Sequence, residues 1–462
     1  MADGTQQRIK RVVDSFAGGG GASTGIKWAI GRDVDAAINH DETAIAVHTA
    51  NHPNALHFCE DVYQVDPRTV FPDDDIDVLW ASPDCKHFSR AKGGKPVEQK
   101  IRGLAWSVIG WARRRKPRLI VVENVPEFIT WGPLDDDNKP ATSKAGLTFK
   151  RWVGYLKGAG YVVDWRELVA ADFGAPTSRK RLFVVARCDG KPIVWPEPTH
   201  GDPKVQRDLF SSRKPWRTAA ECIDWSIPVP SIFGRKKPLA DNTLARIARG
   251  LERFVFGAAQ PYVVTMQGKT AAPTLIQTGY GEREGQAPRA LDLHVPHGTI
   301  VAGGCKTALV AAYLAKHFGG GYTGPGIACD SPMATITTVD HHAVVTADLS
   351  TKQADHAVDV HAFMVKYFGN ERGGVDVRDP LDTVTTRDRF GLVVVEGVEH
   401  VIVDIGMRML TPRELARAQG FPDDYVLDVG GTSKTDQVRL IGNSVVPHLA
   451  RAIVAANMET TT

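Results

Sequence analysis

The sequence predicts an α/β fold in which a doubly wound, mostly parallel sheet is interrupted by a smaller, β-rich inserted domain. From residue 10 to about 195, short apolar runs of strand length alternate with helix-like segments. From about 196 to 400, proline and glycine become frequent and β-branched runs dominate, and from 404 the helical texture returns. We therefore expect one α/β domain built from residues 1–196 and 404–462, with residues 197–403 inserted between its two parts.

Length and composition are consistent with this division. The 462 residues exceed the usual length of one domain, and 43% are hydrophobic and 24% charged, as in ordinary globular proteins. No window reaches about eighteen continuous apolar residues, and the N-terminus lacks the apolar core of a secretory signal. Six cysteines occur without a Cys-x-x-Cys pair, which excludes a thiolate zinc finger and favours a reducing compartment.

Five apolar runs define the strands expected in the α/β domain. They are Val12-Val13, Asp35–Ile38, Val78–Ala81, Leu119–Val122 and Leu182–Ala186. In a doubly wound sheet, ligands bind beyond the carboxyl ends of the strands, so the loop after each run is the place to look for chemistry.

Helices are expected where apolar residues recur every three or four positions. This pattern predicts helices at Thr43–Ala50, Ile101–Arg114, Asp241–Phe254 and Pro447–Ala456. A further helix begins with Thr411 as its N-cap and Pro412 as its first residue, carries Glu414 in its first turn, and is closed by Gly420.

Part of the inserted stretch is strongly basic. Residues 211–270 contain ten Lys and Arg against four acids, a net charge of +6, whereas the whole chain carries +3. In the helix expected there, Arg246, Arg249 and Arg253 share a face that is separate from the apolar stripe. Such a block is either a solvated surface or a surface that follows a polyanion backbone.

The inserted stretch also repeats itself. Tyr313–Gly319 resembles Phe363–Gly369, and Pro332–Thr338 resembles Pro380–Thr386. A repeated β-rich unit is a plausible scaffold for an extended binding surface.

A glycine-rich loop, Asp14–Gly21, follows the first strand and leads into a helix expected at Ser23–Ala29. Its four glycines allow the backbone to approach a ligand closely, with a helix N-terminus behind it. The loop lacks the Gly-Lys-Ser/Thr of a P-loop and fits no Gly-x-Gly-x-x-Gly register, so both of those nucleotide-binding classes are disfavoured.

Cys85 follows the strand expected at Val78–Ala81. Its neighbours Lys86 and His87 carry or can carry positive charge, which favours the thiolate form that acts as a nucleophile. The alternative is a small apolar residue with a packing role.

Charged side chains also lie beside the next two expected strands. Glu123 closes Leu119–Val122, where a carboxylate can act as an acid toward a ring nitrogen or can simply cap a helix. Arg179 and Arg181 precede Leu182–Ala186 and project from one face of an extended chain, which suits contacts with phosphate or base oxygens.

Several histidines stand close together in the sequence. His48 and His52 are one helical turn apart, with His57 and Cys59 beyond them, but no carboxylate at a suitable spacing completes a metal site. We therefore expect these residues to be structural and expect no metal.

In their order along the chain, these segments resemble the signature blocks of the DNA cytosine-5 methyltransferase family. Asp14–Gly21 is similar to the family's Phe-x-Gly cofactor loop, and Cys85 with Phe88-Ser89 to its nucleophile block. The remaining similar segments are Arg102–Leu104, Glu123–Val125, Arg179 with Arg181, and, as close matches to the ninth and tenth blocks, Arg408–Pro422 and Gln437–Pro447. The resemblance covers roughly residues 10–195 and 404–460, and residues 197–403 occupy the place of the family's target recognition domain.

The resemblance implies a class I methyltransferase-like fold and site-specific methylation of cytosine C5 with S-adenosylmethionine as the methyl donor. Cys85 would add to C6 while Glu123 protonates or hydrogen-bonds N3, and Arg179 and Arg181 would hold the O2 side of the base. The cytosine must first be flipped out of the stack. The residues that the resemblance assigns to the cofactor are Phe16, Ala17, Gly18, Gly19, Gly20, Gly21, Asn39, His40, Asp61, Val62, Pro83, Leu104, Asn443 and Ser444.

The same resemblance implies the setting in which the protein works. We expect double-stranded DNA as the partner, with phosphates contacted by the basic block and no membrane involved. We also expect a monomer that acts without a protein partner, in the cytoplasm of a bacterial or phage-infected cell, at the nucleoid, as part of restriction-modification.

This chain departs from the family pattern around the nucleophile. Asp84 and Lys86 flank Cys85 where the family usually has proline and glutamine, and Pro83 is displaced by one position. Two alternatives therefore stay open beside the DNA methyltransferase: an inactive DNA-binding decoy of the same fold, and a methyltransferase that acts on RNA cytosine.

Two further departures concern binding residues. Asn39 stands where an acid is expected to hold the cofactor ribose, unless Asp41 or Glu42 takes that role. Thr177 replaces the glutamine that usually begins the arginine block.

Overall fold

The computed structural model describes two compact units. Its described residues are 9–84, 103–135, 140–203, 212–256, 258, 260–278, 286, 289–304, 306–316, 360, 363, 392–395 and 398–458. The first unit comprises Met1–Cys222, Val295–Cys305 and Thr411–Thr462, and the second comprises Ile223–His294 and Lys306–Leu410. The first unit is thus built from segments that are distant in sequence.

The first unit contains a seven-stranded sheet. Its strands are β1 (Arg11–Ser15), β2 (Ala36–Ile38), β3 (Leu56–Phe58), β4 (Ile76–Ala81), β5 (Leu119–Asn124), β6 (Val162–Val169) and β7 (Lys180–Arg187), in the order β3-β2-β1-β4-β5-β7-β6. The neighbouring pairs from β3 to β5 are parallel, and β7 pairs antiparallel with both β5 and β6. The doubly wound, mostly parallel sheet is therefore confirmed, and two short strands, β8 (His200–Gly201) and β9 (Lys214–Pro215), pair separately.

Helices cover both faces of this sheet. They are α1 (Gly21–Ile30), α2 (Glu42–Asn51), α3 (Trp106–Arg114) and α4 (Leu147–Gly158), followed after the second unit by α6 (Pro412–Gln419), α7 (Lys434–Asn443) and α8 (Pro447–Asn457). One face of the sheet packs with Trp111 of α3 and Trp152 of α4, and the other with Ile26 of α1 and Ile453 of α8. The apolar strands are buried on both sides, as expected of a parallel sheet.

The helix predicted after Thr411 forms as expected. The Thr411 side chain accepts a hydrogen bond from the Glu414 backbone N–H, and the Glu414 side chain accepts one from the Thr411 N–H, which is a complete capping box. Gly420 ends the helix in the left-handed conformation, at a φ of 87°.

The second unit is built mainly from antiparallel strands. They are β10 (Val264–Met266), β11 (Lys269–Gln277), β12 (Ala290–Leu291), β13 (Thr307–Lys316), β14 (Leu392–Val395) and β15 (Val398–Met409), ordered β10-β11-β13-β15-β14 with β12 beside β11. Helix α5 (Asp241–Leu251) packs on this sheet through Ile247 and Leu251. The expected β-rich insertion is therefore present.

The structure bears on two expectations about the insertion. Arg246 was predicted on the polar face of α5, but it is only 3% exposed, so the three arginines do not share one solvent-facing surface. The compact units begin and end at other residues than the predicted domains, and the assignment of residues 197–403 to target recognition stays a prediction. Most of the repeated segments lie outside the described residues.

Among the helices that the structure describes, none combines the length and apolar character that crossing a bilayer requires.

Candidate functional site

The glycine-rich loop lies at the carboxyl end of β1, where it was expected. Phe16 and Gly18 have φ angles of 64° and 52°, so the chain turns sharply through the left-handed region directly after the strand. The N–H of Ala17 donates to the carbonyl of Ile38 at 3.1 Å, which joins the loop to the end of β2. Gly20, with a φ of 78°, immediately precedes α1.

Packing within the protein explains three of the four glycines. A Cβ on Gly19 would lie 2.9 Å from the Ser444 hydroxyl, one on Gly20 would clash with the Tyr425 hydroxyl, and one on Gly21 would clash with the Val445 carbonyl. Only Gly18 has open space on that side, its nearest neighbour being the Phe16 carbonyl at 3.8 Å. The expectation from sequence was close approach to a ligand, but at three positions the close approach is to the C-terminal part of the same unit.

The segment after β2 carries the residues considered for a ribose contact. Asp41 caps α2 through the Ala44 N–H at 3.0 Å and pairs with Arg439 at 2.5 Å, so its carboxylate is already engaged by both. Asn39 is half-buried, and its side-chain oxygen accepts from the Asp41 N–H at 2.9 Å. His40 and Glu42 are exposed beside it.

An apolar wall extends from the glycine loop toward α3. Phe16 and Leu104 are partly buried against the apolar cluster that includes Val62. The neighbouring Asp61 is half-buried and accepts the Tyr63 N–H at 3.0 Å, and the Tyr63 hydroxyl donates to the Gly103 carbonyl at 2.6 Å. Tyr63 thus links two predicted cofactor segments, a role that no sequence pattern indicated.

Glu123 and Arg181 form an ion pair near the carboxyl end of β5. The Arg181 Nε lies 3.2 Å from the Glu123 Oε1, and both side chains are about nine-tenths buried. The antiparallel register pairs Glu123 with Phe183, and Arg181 is two residues from Phe183 along β7, on the same face. A carboxylate and a guanidinium are therefore held together at the sheet edge where chemistry was expected.

The loop after β4 is fixed to the end of β5. The Asn124 side-chain amide donates to the Pro83 carbonyl at 3.1 Å, and the Ser82 N–H donates to the Ser15 carbonyl at 3.2 Å. Cys85, two residues beyond Pro83, lies outside the described residues. The chain that leads into Cys85 is nevertheless anchored beside Glu123.

Arg179 occupies a different environment from Arg181. It is only 3% exposed, and its Nη1 donates to the Ile300 carbonyl at 3.2 Å and the Gly442 carbonyl at 3.1 Å. Thr177 forms a bridge with His297 beside it. The structure therefore brings Arg181 to Glu123, whereas Arg179 holds two backbone segments of the first unit together.

Asn443 and Ser444 lie at the end of α7. Asn443 is exposed, and the buried Ser444 donates its hydroxyl to the Leu440 carbonyl at 2.8 Å. The Gln419 side chain donates to the Ser444 carbonyl at 2.8 Å, which fixes this turn against Gly19. Gln419 stands in the block similar to the ninth family motif, but its partner could not be read from the sequence.

The site has features that fit a cofactor with polar and apolar parts. Among the described residues, the Ser15 hydroxyl at the end of β1 is buried without a hydrogen-bond partner. It lies next to Phe16, which is partly buried, and near Gly18, which has open space. This combination fits the cofactor implied by the resemblance.

Comparison with known proteins finds a family whose sequence pattern this chain matches. The model of the family described as C-5 cytosine-specific DNA methylase matches residues 10–225 and 346–459. Type II methyltransferase M.AgeI of Thalassovita gelatinovora is 26% identical over 195 residues, covering 41% of this chain and 42% of that protein. Type II methyltransferase M.AquIA of Picosynechococcus is 27% identical over 229 residues, covering 46% of this chain and 88% of the relative. The match thus spans less than half of M.AgeI.

A solved structure shows the same fold. A triple mutant of DNMT2 from Spodoptera frugiperda matches with a TM-score of 0.51 at 15% identity, covering 97% of this chain and 99% of that one.

Proposed function

The chain belongs to the C-5 cytosine-specific DNA methylase family, and from this premise we propose that it methylates cytosine C5 in double-stranded DNA through a covalent Cys85 adduct. The observation that carries the proposal is the hydrogen bond from Asn124 to the Pro83 carbonyl. It fixes the start of the Cys85 loop beside Glu123, so a nucleophile and a carboxylate can engage one pyrimidine.

Each protein group has a defined part in this reaction. The Cys85 thiolate forms a bond to C6, and Glu123 protonates or hydrogen-bonds N3, so that negative charge does not build up on the ring. S-adenosylmethionine would supply the methyl group that C5 takes up, and S-adenosylhomocysteine would leave. Loss of the C5 proton to solvent then allows the bond to Cys85 to break, which regenerates the thiolate. Arg181, at 3.2 Å from Glu123, orients the carboxylate and faces the O2 side of the base.

The proposed cofactor site uses the loops at the carboxyl ends of β1 to β4. Phe16, Val62 and Leu104 would provide the apolar wall, and Asp61 would accept hydrogen bonds from the adenine side. Asn39 is the proposed ribose contact, because the carboxylate of Asp41 is engaged by Arg439 and the start of α2.

The proposed DNA contacts lie in the basic stretch and the inserted segment. Flipping a cytosine costs a few kcal/mol, which phosphate contacts must offset. Residues 235–237, an Arg and two Lys, are exposed and suit this role. Base readout is assigned to the loops within 260–400.

Replacement of the nucleophile tests the proposal. Cys85→Ala should abolish transfer of a tritiated methyl group to DNA, because no covalent activation of C5 remains. The matched control is Cys188→Ala, which should keep its activity. Cys188 directly follows β7, whose end pairs with the start of β5, so this cysteine lies at the opposite edge of the sheet from Glu123. Full activity in Cys85→Ala would exclude the covalent mechanism.

Two substrates separate the alternatives in the same assay. Duplex DNA containing 5-fluorocytosine should trap the wild-type protein as a covalent adduct that depends on the cofactor, which a decoy cannot form. Structured RNA that competes more effectively than duplex DNA would instead favour the RNA enzyme.

A further inference from the structure

A chain of four polar side chains runs beneath the glycine loop, and no step of the proposed reaction uses it. His57 Nε2 lies 2.8 Å from His48 Nδ1, and His48 Nε2 lies 2.9 Å from the Ser23 hydroxyl. The Ser23 hydroxyl donates to Asp14 Oδ2 at 2.7 Å. Asp14, Ser23 and His48 have no exposed surface, whereas His57 is half-buried.

The hydrogen bonds of this chain have one consistent direction. Ser23 has a single hydroxyl proton, which it gives to Asp14, so His48 Nε2 must donate to the Ser23 oxygen. The neutral ring then accepts at Nδ1 from His57. Burial and the neighbouring His52 and His57 lower the pKa of His48 well below its usual value, consistent with a neutral ring.

A second set of contacts surrounds the same glycine turn at Gly20. The Thr24 hydroxyl lies 2.8 Å from the Gly20 carbonyl and 3.2 Å from His52 Nε2, and His52 Nδ1 lies 3.1 Å from Asp33. A Cβ on Gly20 would contact the rings of both His48 and His52 at 3.3 Å. The two histidines therefore pack directly against the turn that precedes α1.

A glycine-rich turn cannot fix its own conformation, because glycine has more backbone freedom than any other residue. If the turn is disordered in the free protein, ligand binding must order it, and the free energy that this ordering costs weakens the affinity. A protein that orders the turn beforehand avoids this cost. The hydrogen bond between Asp14 and Ser23 joins the end of strand β1 to the first turn of helix α1. These two residues lie on either side of Gly18–Gly20. A network at this position pre-organises the turn.

We propose that Asp14, Ser23 and His48 are positioning residues that hold the Gly19–Gly20 turn in the geometry that binds the methyl donor. The inference rests on the proposed function, because that function places the cofactor at this turn. His48 holds the Ser23 hydroxyl in place by a hydrogen bond, and Ser23 in turn holds the Asp14 carboxyl group.

Two substitutions of His48 separate its two hydrogen bonds. In His48→Gln the side-chain nitrogen takes the place of Nε2 and can still donate to Ser23, whereas in His48→Asn the side-chain oxygen takes the place of Nδ1 and accepts from His57, and no donor reaches Ser23. We expect His48→Gln to bind S-adenosylhomocysteine within about twofold of wild type, and His48→Asn to bind about tenfold more weakly. Calorimetry without DNA measures both.

Further measurements distinguish positioning from simple stabilisation. The KM for S-adenosylmethionine should rise in His48→Asn while kcat is retained, and the amides of Gly20–Thr24 should exchange faster in the ligand-free protein. Thr49→Ala is the control, since Thr49 is exposed on α2 and bonds only to the Ile45 carbonyl among the described contacts.

The outcomes are distinct. Equal affinity in His48→Gln and His48→Asn, with both variants folded, would overturn the positioning role while leaving the methyltransferase proposal intact. Failure of the wild-type protein to bind S-adenosylhomocysteine would overturn the proposed function and this inference together.

Discussion

Asp14 lies at the end of β1 with no exposed surface, and its surroundings decide how its charge behaves. Burial raises the pKa of this carboxyl group to about 7, although hydrogen bonds from the Ser23 hydroxyl and backbone oppose the shift. The Tyr425 hydroxyl lies close enough for the Asp14 charge to act on it, and burial chiefly raises the pKa of that phenol. The neutral form of Asp14 is therefore favoured in the fold below pH 7, with its proton on Oδ1 so that Oδ2 still accepts from Ser23, and ionisation is costly.

This cost gives a stability prediction with a defined sign. A carboxyl group whose pKa is raised from 3.8 to about 7 contributes stability below pH 3.8 that is lost as the pH rises through 7. Asp14→Asn removes the charge, so we expect a larger free energy of unfolding at pH 8, by up to about 4 kcal/mol, and little difference near pH 4. Urea unfolding at the two pH values measures this, and an equal effect at both would contradict it.

At the scale of elements, the strands and helices followed from apolar periodicity, and the partners of polar side chains did not. All five predicted strands form, and the Thr411 capping box is complete, because both depend on residues adjacent in sequence. Strands β3 and β6 and helices α4 and α7 were missed. Arg246 was predicted on a polar face but is buried, because the elements that pack around it could not be known from the sequence. The hydrogen bond from Asn124 to Pro83 could not be predicted either, because it joins residues that are 41 positions apart.

Two glycines inside helices show what tertiary contact adds to local preference. Gly25 of α1 faces α8 so closely that a Cβ would clash with the Pro447 carbonyl and lie 2.8 Å from the Ala450 Cβ. Gly110 of α3 has nothing within 4 Å of that position. The same residue type is therefore required in one helix and merely tolerated in the other.

Alanine at these two positions should have opposite effects. Gly110→Ala should stabilise the protein by about 0.5–1 kcal/mol, because alanine restricts the unfolded chain and favours a helix. Gly25→Ala should destabilise it by about 1–3 kcal/mol, because α1 and α8 must move apart. Chemical denaturation compares the pair, and stabilisation by Gly25→Ala would show that this helix contact is looser than described.

At the scale of the whole molecule, a net charge of +3 is too small to drive the proposed DNA binding, so that binding depends on where the charges lie. Residues 235–237 present three exposed cations in succession, in the stretch proposed to contact phosphates. Other cations already pair with carboxylates of the same protein. Arg439 is an example, and its hydrogen bond with Asp41 raises its pKa.

Removing the three charges at 235–237 should weaken DNA binding without sequence preference. For Arg235→Ala, Lys236→Ala and Lys237→Ala combined, we expect the slope of log affinity against log salt to become shallower by up to about 0.9 for each phosphate that the variant no longer neutralises. Fluorescence anisotropy over a salt series measures the slope. Lys150→Ala, Arg151→Ala and Lys157→Ala remove the same charge from α4, and an equal change of slope in that control would mean that only total charge matters.

The contacts of Gly19, Gly20 and Gly21 with Ser444, Tyr425 and Val445 have a consequence for biosynthesis. The ribosome makes these packing partners about four hundred residues after the loop. Until those partners emerge, the nascent polypeptide has only the hydrogen bonds of Asp14, Ser23 and His48 to hold the loop at the proposed donor site. Newly translated chains should therefore acquire the proposed methyl-donor binding only after Tyr425, Ser444 and Val445 have emerged, and products that end before them should stay inert.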